Sequence, residues 1–284
     1  MPEPADRGPD DDGFEFLDDD LLDDELDELN DDAADEGGDE RAYVYDATVR
    51  PDDPAIVEVL SSGAIEILGQ MPWSSNATFL VEVHHGDDHA PAVYKPARGE
   101  RPLWDFPDGL WQREVASYEL SHHLGWAHVP PTVARHDAPL GPGSVQAFVP
   151  ARYAEHYFTL QHDAGLTDTF RRLCAFDLVA NSTDRKGGHV LIDDDDRIWA
   201  IDNGLTFHVE FKLRTVIWEF AGEPIGADVA EALAGLLDRG LPSSLDALLD
   251  RAERDATLTR AGALLAAGAF PHDPTGRRHP WPLV

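Results

Sequence analysis

The spacing of apolar positions changes part-way along the chain. Up to residue 150, short apolar and β-branched runs predict strands over 64–68, 77–83, 92–95, 131–135 and 144–149. In the same part, helical spacing predicts helices over 56–60 and 110–124. Beyond residue 150 the pattern predicts a β-hairpin of 190–192 with 198–201 and helices over 166–180, 227–237, 245–251 and 258–267. Strands first and helices later predict an α+β chain with two lobes, 42–150 and 151–284.

The first 40 residues differ from both lobes. They carry 20 Asp and Glu against one Arg. Such a segment cannot bury enough apolar surface to offset its chain entropy, so residues 1–41 are predicted to be a disordered acidic tail. Leu22, Leu26 and Leu29 have the spacing of one helical face, so binding of a protein partner stays open beside a purely solvating role.

Charge and composition exclude several classes of protein. A formal net charge of -33 repels nucleic acid and anionic membrane surfaces, so neither is expected as a partner. The chain begins without the basic and apolar regions of a signal peptide, and no apolar run approaches the ~20 residues of a transmembrane segment. Cys174 is the single cysteine, which excludes an internal disulfide and favours a cytoplasmic location. Its apolar helical surroundings predict a buried, inert thiol.

The stretch 176–207 reads FDLVANSTDRKGGHVLIDDDDRIWAIDNGLTF and contains the predicted hairpin. In a hairpin, the residue entering the first strand lies beside the residue leaving the second, which predicts that His189 and Asp202 are neighbours. Asp184 precedes them on the adjoining loop. One carboxylate for a nucleophile and a pair of ligands for a metal are what phosphoryl transfer from ATP requires. The alternative is a solvated acidic turn, since Asp-Asn-Gly is a common turn sequence.

The first lobe contains a candidate phosphate site. Lys95 closes the strand AVYKP, and Glu114 lies in REVASY on the next predicted helix. An ion pair between them would direct the lysine toward the α- and β-phosphates of ATP. The alternative is that Lys95 simply lies in solvent at the end of its strand. In the loop between the first two strands, backbone amides and hydroxyls could also face phosphate oxygens; the candidates there are Ser74, Ser75 and Asn76.

Six segments together resemble a known superfamily. AVYKP, GERPLWDFP, REVASYEL, SVQAFVP, DLVANSTDRKGGHVLI and AIDNGLTF are similar, in the same order, to the phosphatidylinositol 3- and 4-kinase-like proteins. They most resemble the type II phosphatidylinositol 4-kinases and uncharacterised actinobacterial kinase-like proteins. The resemblance covers roughly residues 63–220. It implies a bilobal atypical kinase fold with an antiparallel-sheet N-lobe and a mainly helical C-lobe.

The resemblance also implies roles for residues of the first lobe. Lys95 would bind the nucleotide phosphates, and Glu114 would orient the lysine. A hinge against the adenine ring would be formed by the segment 146–149, which includes Gln146, Phe148 and Val149.

In the second lobe, Asp184 would be the catalytic aspartate that accepts or positions the acceptor hydroxyl. Asp202 would bind the metal. Lys186 is placed to reach the transferring phosphoryl group. His189 occupies the position where the family has asparagine. Imidazole prefers softer metals than a carbonyl oxygen does, so His189 would favour Mn²⁺ over Mg²⁺, hydrogen-bond a phosphate, or mark a disabled site.

The sequence therefore predicts an ATP-dependent phosphotransferase that uses Mg²⁺ or Mn²⁺ and has an unknown acceptor. The cysteine-rich segment of type II lipid kinases is missing, and the chain is acidic, so a protein or small polar acceptor is favoured over a lipid. Two alternatives remain at this stage. One is a catalytically silent nucleotide-binding module that regulates a partner, and the other is an enzyme that transfers AMP.

Overall fold

The computed structural model describes residues 46–71 and 76–284. The acidic segment 1–41, with its predicted disorder and its leucine face, lies outside the described residues, as do Ser74 and Ser75. What was predicted for these residues stays a prediction.

The first half of the described chain forms a five-stranded antiparallel sheet. Its strands are β1 (Ala64–Gln70), β2 (Phe79–His85), β3 (Asp88–Pro96), β4 (Thr132–Arg135) and β5 (Gly143–Ala147), in the order β1-β2-β3-β5-β4. The β2–β3 connection is tighter than the sequence indicated. The strands continue through the histidines, so that His84 pairs with His89, and Gly86 makes the turn with a φ of 65°.

Two helices pack on this sheet. Helix α1 (Ile56–Ser62) buries Ile56, Val59 and Leu60, and helix α2 (Leu110–His123) ends just before Gly125, whose φ of 69° suits only glycine well. Both helices contact β4 and β5. Because α2 lies against the strands beside β3, the sheet fixes the helix that carries Glu114.

The second half is mainly helical. It contains α3 (Tyr157–Leu160), α4 (Thr167–Ala180), α5 (Ala227–Arg239) and α6 (Arg251–Ala267), with the hairpin β6 (Val190–Ile192) and β7 (Ile198–Ala200) between α4 and α5. Its core is built on α4, whose Phe170, Leu173 and Phe176 are fully buried. Cys174 is also buried in this core, and burial raises the pKa of its thiol, as expected for an inert cysteine.

One helix prediction was wrong. The segment 245–251 is not a helix; a 3₁₀ turn over Ser243–Ala247 is followed by α6, which begins at Arg251 and includes the predicted segment 258–267. A capping box sets this boundary. Asp250 Oδ1 accepts a hydrogen bond from Glu253 N at 2.8 Å, and Glu253 Oε2 accepts one from Asp250 N at 2.9 Å.

The element order confirms the predicted fold class, an α+β chain with an antiparallel-sheet part followed by a mainly helical part. The boundary at residue 150 stays a prediction. Among the helices in the described residues, none combines the length and apolar character needed to cross a bilayer.

Candidate active site

A cavity of about 360 Å³ lies where the end of β3, helix α2 and the loops around β6 and β7 meet. Its lining includes seven of the residues proposed from sequence for phosphate, metal or catalysis: Asn76, Lys95, Glu114, Asp184, Lys186, His189 and Asp202. Asn76 Oδ1 accepts a hydrogen bond from Arg101 N at 3.0 Å.

Lys95 is held by two carboxylates. Its Nζ donates to Glu114 Oε1 and, at 3.0 Å, to Asp202 Oδ1. Burial lowers the pKa of Lys95, but the negative charges of Asp202 and Glu114 outweigh this effect and raise the pKa above its ordinary value. The lysine is therefore a fixed positive charge inside the cavity, and the predicted pairing with Glu114 is confirmed.

The backbone of α2 is anchored at its first turn by a residue that was not predicted. Glu100 Oε2 accepts hydrogen bonds from Gly109 N and Leu110 N, each at 3.0 Å, and its Oε1 accepts one from Trp111 N at 2.6 Å. A carboxylate at a helix N-terminus satisfies amides that have no partner within the helix and interacts favourably with the helix dipole. This cap fixes the position of α2 and, with it, of Glu114.

His189 and Asp202 are neighbours, as the hairpin pattern predicted. In the β6–β7 ladder Val190 pairs with Ala200, and Ile201 N donates to His189 O at 3.0 Å. Asp202 then follows with a left-handed φ of 57°, and its Oδ2 lies 3.4 Å from His189 Nε2. The positive charge of Lys95 is the main reason that the pKa of Asp202 is far below its usual range.

The imidazole of His189 is oriented by a backbone carbonyl. Its Nδ1 lies 2.9 Å from Asp184 O, which assigns the proton to Nδ1 and leaves a lone pair on Nε2. Burial lowers the pKa of His189 despite the opposing charge of Asp202, so the ring is neutral at pH 7. A neutral imidazole with a free Nε2 lone pair is the form that binds metals.

The three residues Asp184, His189 and Asp202 fit a divalent cation. One ligand atom from each lies within 4.8 Å of the others. Two carboxylates suit Mg²⁺ and Mn²⁺, and the imidazole shifts the preference of the set toward Mn²⁺.

The loop of Asp184 is fixed on several sides. Lys186 Nζ lies 2.8 Å from Asp184 Oδ2. Thr183 N donates to Leu205 O at 2.9 Å, and Gly187 N donates to Leu283 O at 2.7 Å. The carboxylate and ammonium groups therefore face the cavity from a loop whose backbone is hydrogen-bonded to neighbouring segments.

Arg185 is the main structural residue that sequence reasoning missed. Its side chain is fully buried, and Nε donates to Asp177 Oδ1 at 3.1 Å. Its other nitrogens donate to Ile201 O at 2.8 Å and Asn203 Oδ1 at 2.6 Å, which ties the Asp184 loop to the Asp202 loop. Asp177 stands among apolar residues of α4 in FDLVA, and a lone acidic residue in such a run signals a buried partner.

The predicted hinge residues are not part of the lining of this cavity. Gln146 Nε2 donates to Thr132 Oγ1 at 2.8 Å, Phe148 N donates to Pro91 O at 3.0 Å, and Val149 O accepts from Tyr153 Oη at 2.9 Å. None of Gln146, Phe148 and Val149 is among the described residues that line the cavity around Lys95. Their contact with adenine stays a prediction.

The antiparallel sheet, the Lys95–Glu114 pair and the hairpin that carries His189 and Asp202 define an α+β protein with a lysine–carboxylate pair beside a candidate metal site. No family model matches the chain. The chain is 38% identical over 275 residues to Protein Rv2133c of Mycobacterium tuberculosis (strain ATCC 25618 / H37Rv), and the match covers 83% of this chain and 96% of that protein. The chain therefore belongs to the family of Protein Rv2133c.

Two solved structures are also similar to this chain. The Helicobacter pylori proinflammatory kinase CtkA has a TM-score of 0.47 at 8% identity, covering 74% of this chain and 94% of that one. Hydra Fam20 with sugar has a TM-score of 0.44 at 12% identity, covering 75% of this chain and 86% of that one.

Proposed function

We propose that this protein is an ATP-dependent phosphotransferase. The observation that carries the proposal is the position of Lys95 Nζ, which contacts both Glu114 and Asp202 in the cavity that Asp184 and Lys186 also line. A partly buried lysine held by a helix carboxylate, next to an aspartate that can bind a metal, is the arrangement that kinases use to bind ATP phosphates.

Each residue then has a role that its environment allows. Lys95 binds the α- and β-phosphates. Asp184 accepts the proton of the acceptor hydroxyl, or orients that hydroxyl, and Lys186 contributes positive charge beside the transferring group. A Mg²⁺ or Mn²⁺ ion bound by Asp202, His189 and Asp184 would neutralise phosphate charge.

Two observations favour an enzyme over a silent nucleotide-binding module. The Lys95–Glu114 pair is present. The ligand atoms of Asp184, His189 and Asp202 lie within 4.8 Å of one another. The candidate metal site therefore keeps three ligands although His189 stands where the resembled family has asparagine. We also propose that, within the phosphatidylinositol 3- and 4-kinase-like proteins, this protein is most similar to the type II phosphatidylinositol 4-kinases. A protein or small polar acceptor is favoured over a lipid because the chain has a net charge of -33.

The test is transfer from ATP in the presence of Mg²⁺ or Mn²⁺, followed by mass spectrometry of the protein and of candidate acceptors. A gain of about 80 Da indicates phosphate, and a gain of about 329 Da would indicate AMP. Asp184→Asn should lower turnover about 10²- to 10⁴-fold, the typical contribution of a general base, while ATP binding persists. Asp194→Asn, in the exposed β6–β7 turn, is the matched control. Equal residual ATPase in the wild type and in Asp184→Asn, with Mg²⁺ and with Mn²⁺, would reject the phosphotransferase proposal.

A further inference from the structure

Exposed apolar side chains are concentrated on three segments. Eleven large apolar residues are exposed in the part of the chain that the structure describes, and seven of them lie in 101–106, 208–214 or 277–284. These seven are Leu103, Trp104, Val209, Phe211, Trp281, Leu283 and Val284. The two tryptophans are 96% and 88% exposed, although tryptophan is usually largely buried. We call these three segments the rim.

Contacts join the rim segments to one another and to the candidate active site. The rings of Phe106 and His208 have centroids 5.2 Å apart, and Lys212 Nζ donates to Asp105 O. The guanidinium of Arg278 lies 4.7 Å from the centroid of the Phe211 ring.

Two further contacts reach the site itself. At one end of the rim, Leu103 lines the cavity together with Asp184. At the other end, Leu283 O accepts the hydrogen bond from Gly187 N on the Asp184 loop. The three rim segments thus contact one another and border the loop on which the acceptor hydroxyl would be placed.

The charge of the rim is opposite to that of the rest of the protein. Its three segments contain five basic residues and two acidic ones, a net charge of +3. The basic residues are Arg101, Lys212, Arg214, Arg277 and Arg278. Residues 41–284 as a whole carry -14, so the residues outside the rim carry -17. An apolar and basic surface on an acidic protein is complementary to a ligand that is both acidic and apolar.

We infer that the rim is a docking surface for an acidic polypeptide segment with aromatic or leucine side chains. The exposed tryptophans are the anchors, and the arginines contact the carboxylates of the segment. The further statement that this segment carries the acceptor hydroxyl to Asp184 rests on the proposed function.

Two observations favour a polypeptide over a membrane surface. The residues of 41–284 outside the rim carry a net charge of -17, which an anionic bilayer would repel, whereas a peptide can contact the rim alone. In addition, the rim consists of loop segments, and membrane-surface binding commonly uses a basic amphipathic helix. A short extended segment also suits this place, because the chain around Leu283 already runs alongside the Asp184 loop with a backbone hydrogen bond.

The test is fluorescence anisotropy with the full chain and no ATP. The probe is a labelled 15-residue peptide of alternating Asp or Glu with Leu and Phe and one Ser, about the length of a short interface segment. A second peptide keeps the charges and replaces Leu and Phe by Gly. Vesicles of phosphatidylcholine with phosphatidylserine form the third arm, measured by co-sedimentation.

The variants are Trp104→Ser and Trp281→Ser, which are exposed and leave the core intact, with Leu68→Ser and Leu237→Ser as exposed apolar controls. We expect each tryptophan variant to weaken binding of the first peptide at least about tenfold, the usual effect of an interface anchor, and the controls to leave it unchanged. Raising the salt concentration should weaken binding as well. The inference would be overturned if the first peptide did not bind, or if it bound both tryptophan variants as tightly as the wild type. Tryptophan-dependent binding to vesicles without binding to the peptide would also overturn it.

Failure of the inference and failure of the proposed function are distinguishable. If the peptide binds the rim but the protein neither binds ATP nor transfers phosphate, the surface stands and the phosphotransferase proposal fails. If phosphate is transferred to another acceptor while the peptide does not bind, the phosphotransferase stands and the polypeptide surface is rejected.

Discussion

Glu114 Oε2 accepts a hydrogen bond from the backbone N–H of Asn203, at a distance of 2.9 Å. The other oxygen of the same buried carboxylate binds Lys95 Nζ. One side chain on α2 therefore fixes both the lysine of the sheet and the loop that presents Asp202. Any shift of α2 would alter the phosphate site and the metal site together.

Lys95→Ala should weaken ATP binding by about 2 kcal/mol, the scale of a hydrogen bond to a charged group, or roughly 30-fold in Kd. The physical reason is loss of the fixed positive charge in the cavity. Isothermal titration calorimetry measures the effect. Lys212→Ala, a lysine that is not among the residues lining the cavity, is the control and should bind ATP as the wild type does. An unchanged Kd for Lys95→Ala would remove the lysine from the phosphate site.

Asp202→Ala should abolish metal-dependent nucleotide binding, because it removes a carboxylate from the candidate metal site. His189→Asn should shift the preference from Mn²⁺ toward Mg²⁺, since a carbonyl oxygen is a harder ligand than an imidazole nitrogen. Electron paramagnetic resonance of Mn²⁺, with Mg²⁺ as competitor, measures both effects. The exposed His162→Asn is the control. The same metal preference in wild type and His189→Asn would show that the imidazole is not a ligand.

Arg185→Leu should lower the free energy of unfolding by about 3–5 kcal/mol, because the buried carboxylate of Asp177 would lose its ionic partner. Burial raises the pKa of Asp177, and the charge of Arg185 opposes this effect, so removal of the arginine also favours protonation of the carboxyl. Urea denaturation measures the loss. Arg251→Leu, whose side chain is 88% exposed, should change stability little. A loss for Arg185→Leu no larger than for Arg251→Leu would contradict the structural role.

His128 should make stability depend on pH. Burial, and then the charges of Arg172, Arg185 and Arg197, lower its pKa to about 3. The folded protein keeps this ring neutral, while the unfolded chain binds a proton below about pH 6.5. The neutral His128 ring therefore makes its full contribution to the free energy of unfolding above pH 6.5, and this contribution is lost as the pH falls toward 3.

Between pH 6.5 and pH 5 the wild type should lose about 2 kcal/mol more stability than His128→Met, which cannot titrate. Thermal and urea unfolding at the two pH values measure the difference. The exposed His162→Met should keep the pH dependence of the wild type. Parallel curves for wild type and His128→Met would show that His128 is not the responsible group.

Local patterns predicted a large part of the fold and the central part of the site. The β6–β7 hairpin followed from two short β-branched runs around an acidic turn, and hairpin geometry alone made His189 and Asp202 neighbours. The boundary of α6 was also readable in principle, because Asp250 and Glu253 form a capping box that the apolar spacing did not reveal. The helix predicted over 245–251 was wrong because apolar spacing alone does not show where a helix begins, whereas the capping residues do.

The sequence by itself determined the alternation of strands and helices and the residue types of the site, because these depend on spacing within one segment. Only the tertiary structure decided which distant segments meet. The buried pair of Arg185 with Asp177, the bond from Glu114 to Asn203 and the contact of Leu283 with Gly187 join residues between 8 and 96 positions apart. Such contacts depend on how helices and loops pack on one another, and no periodicity within a segment encodes them.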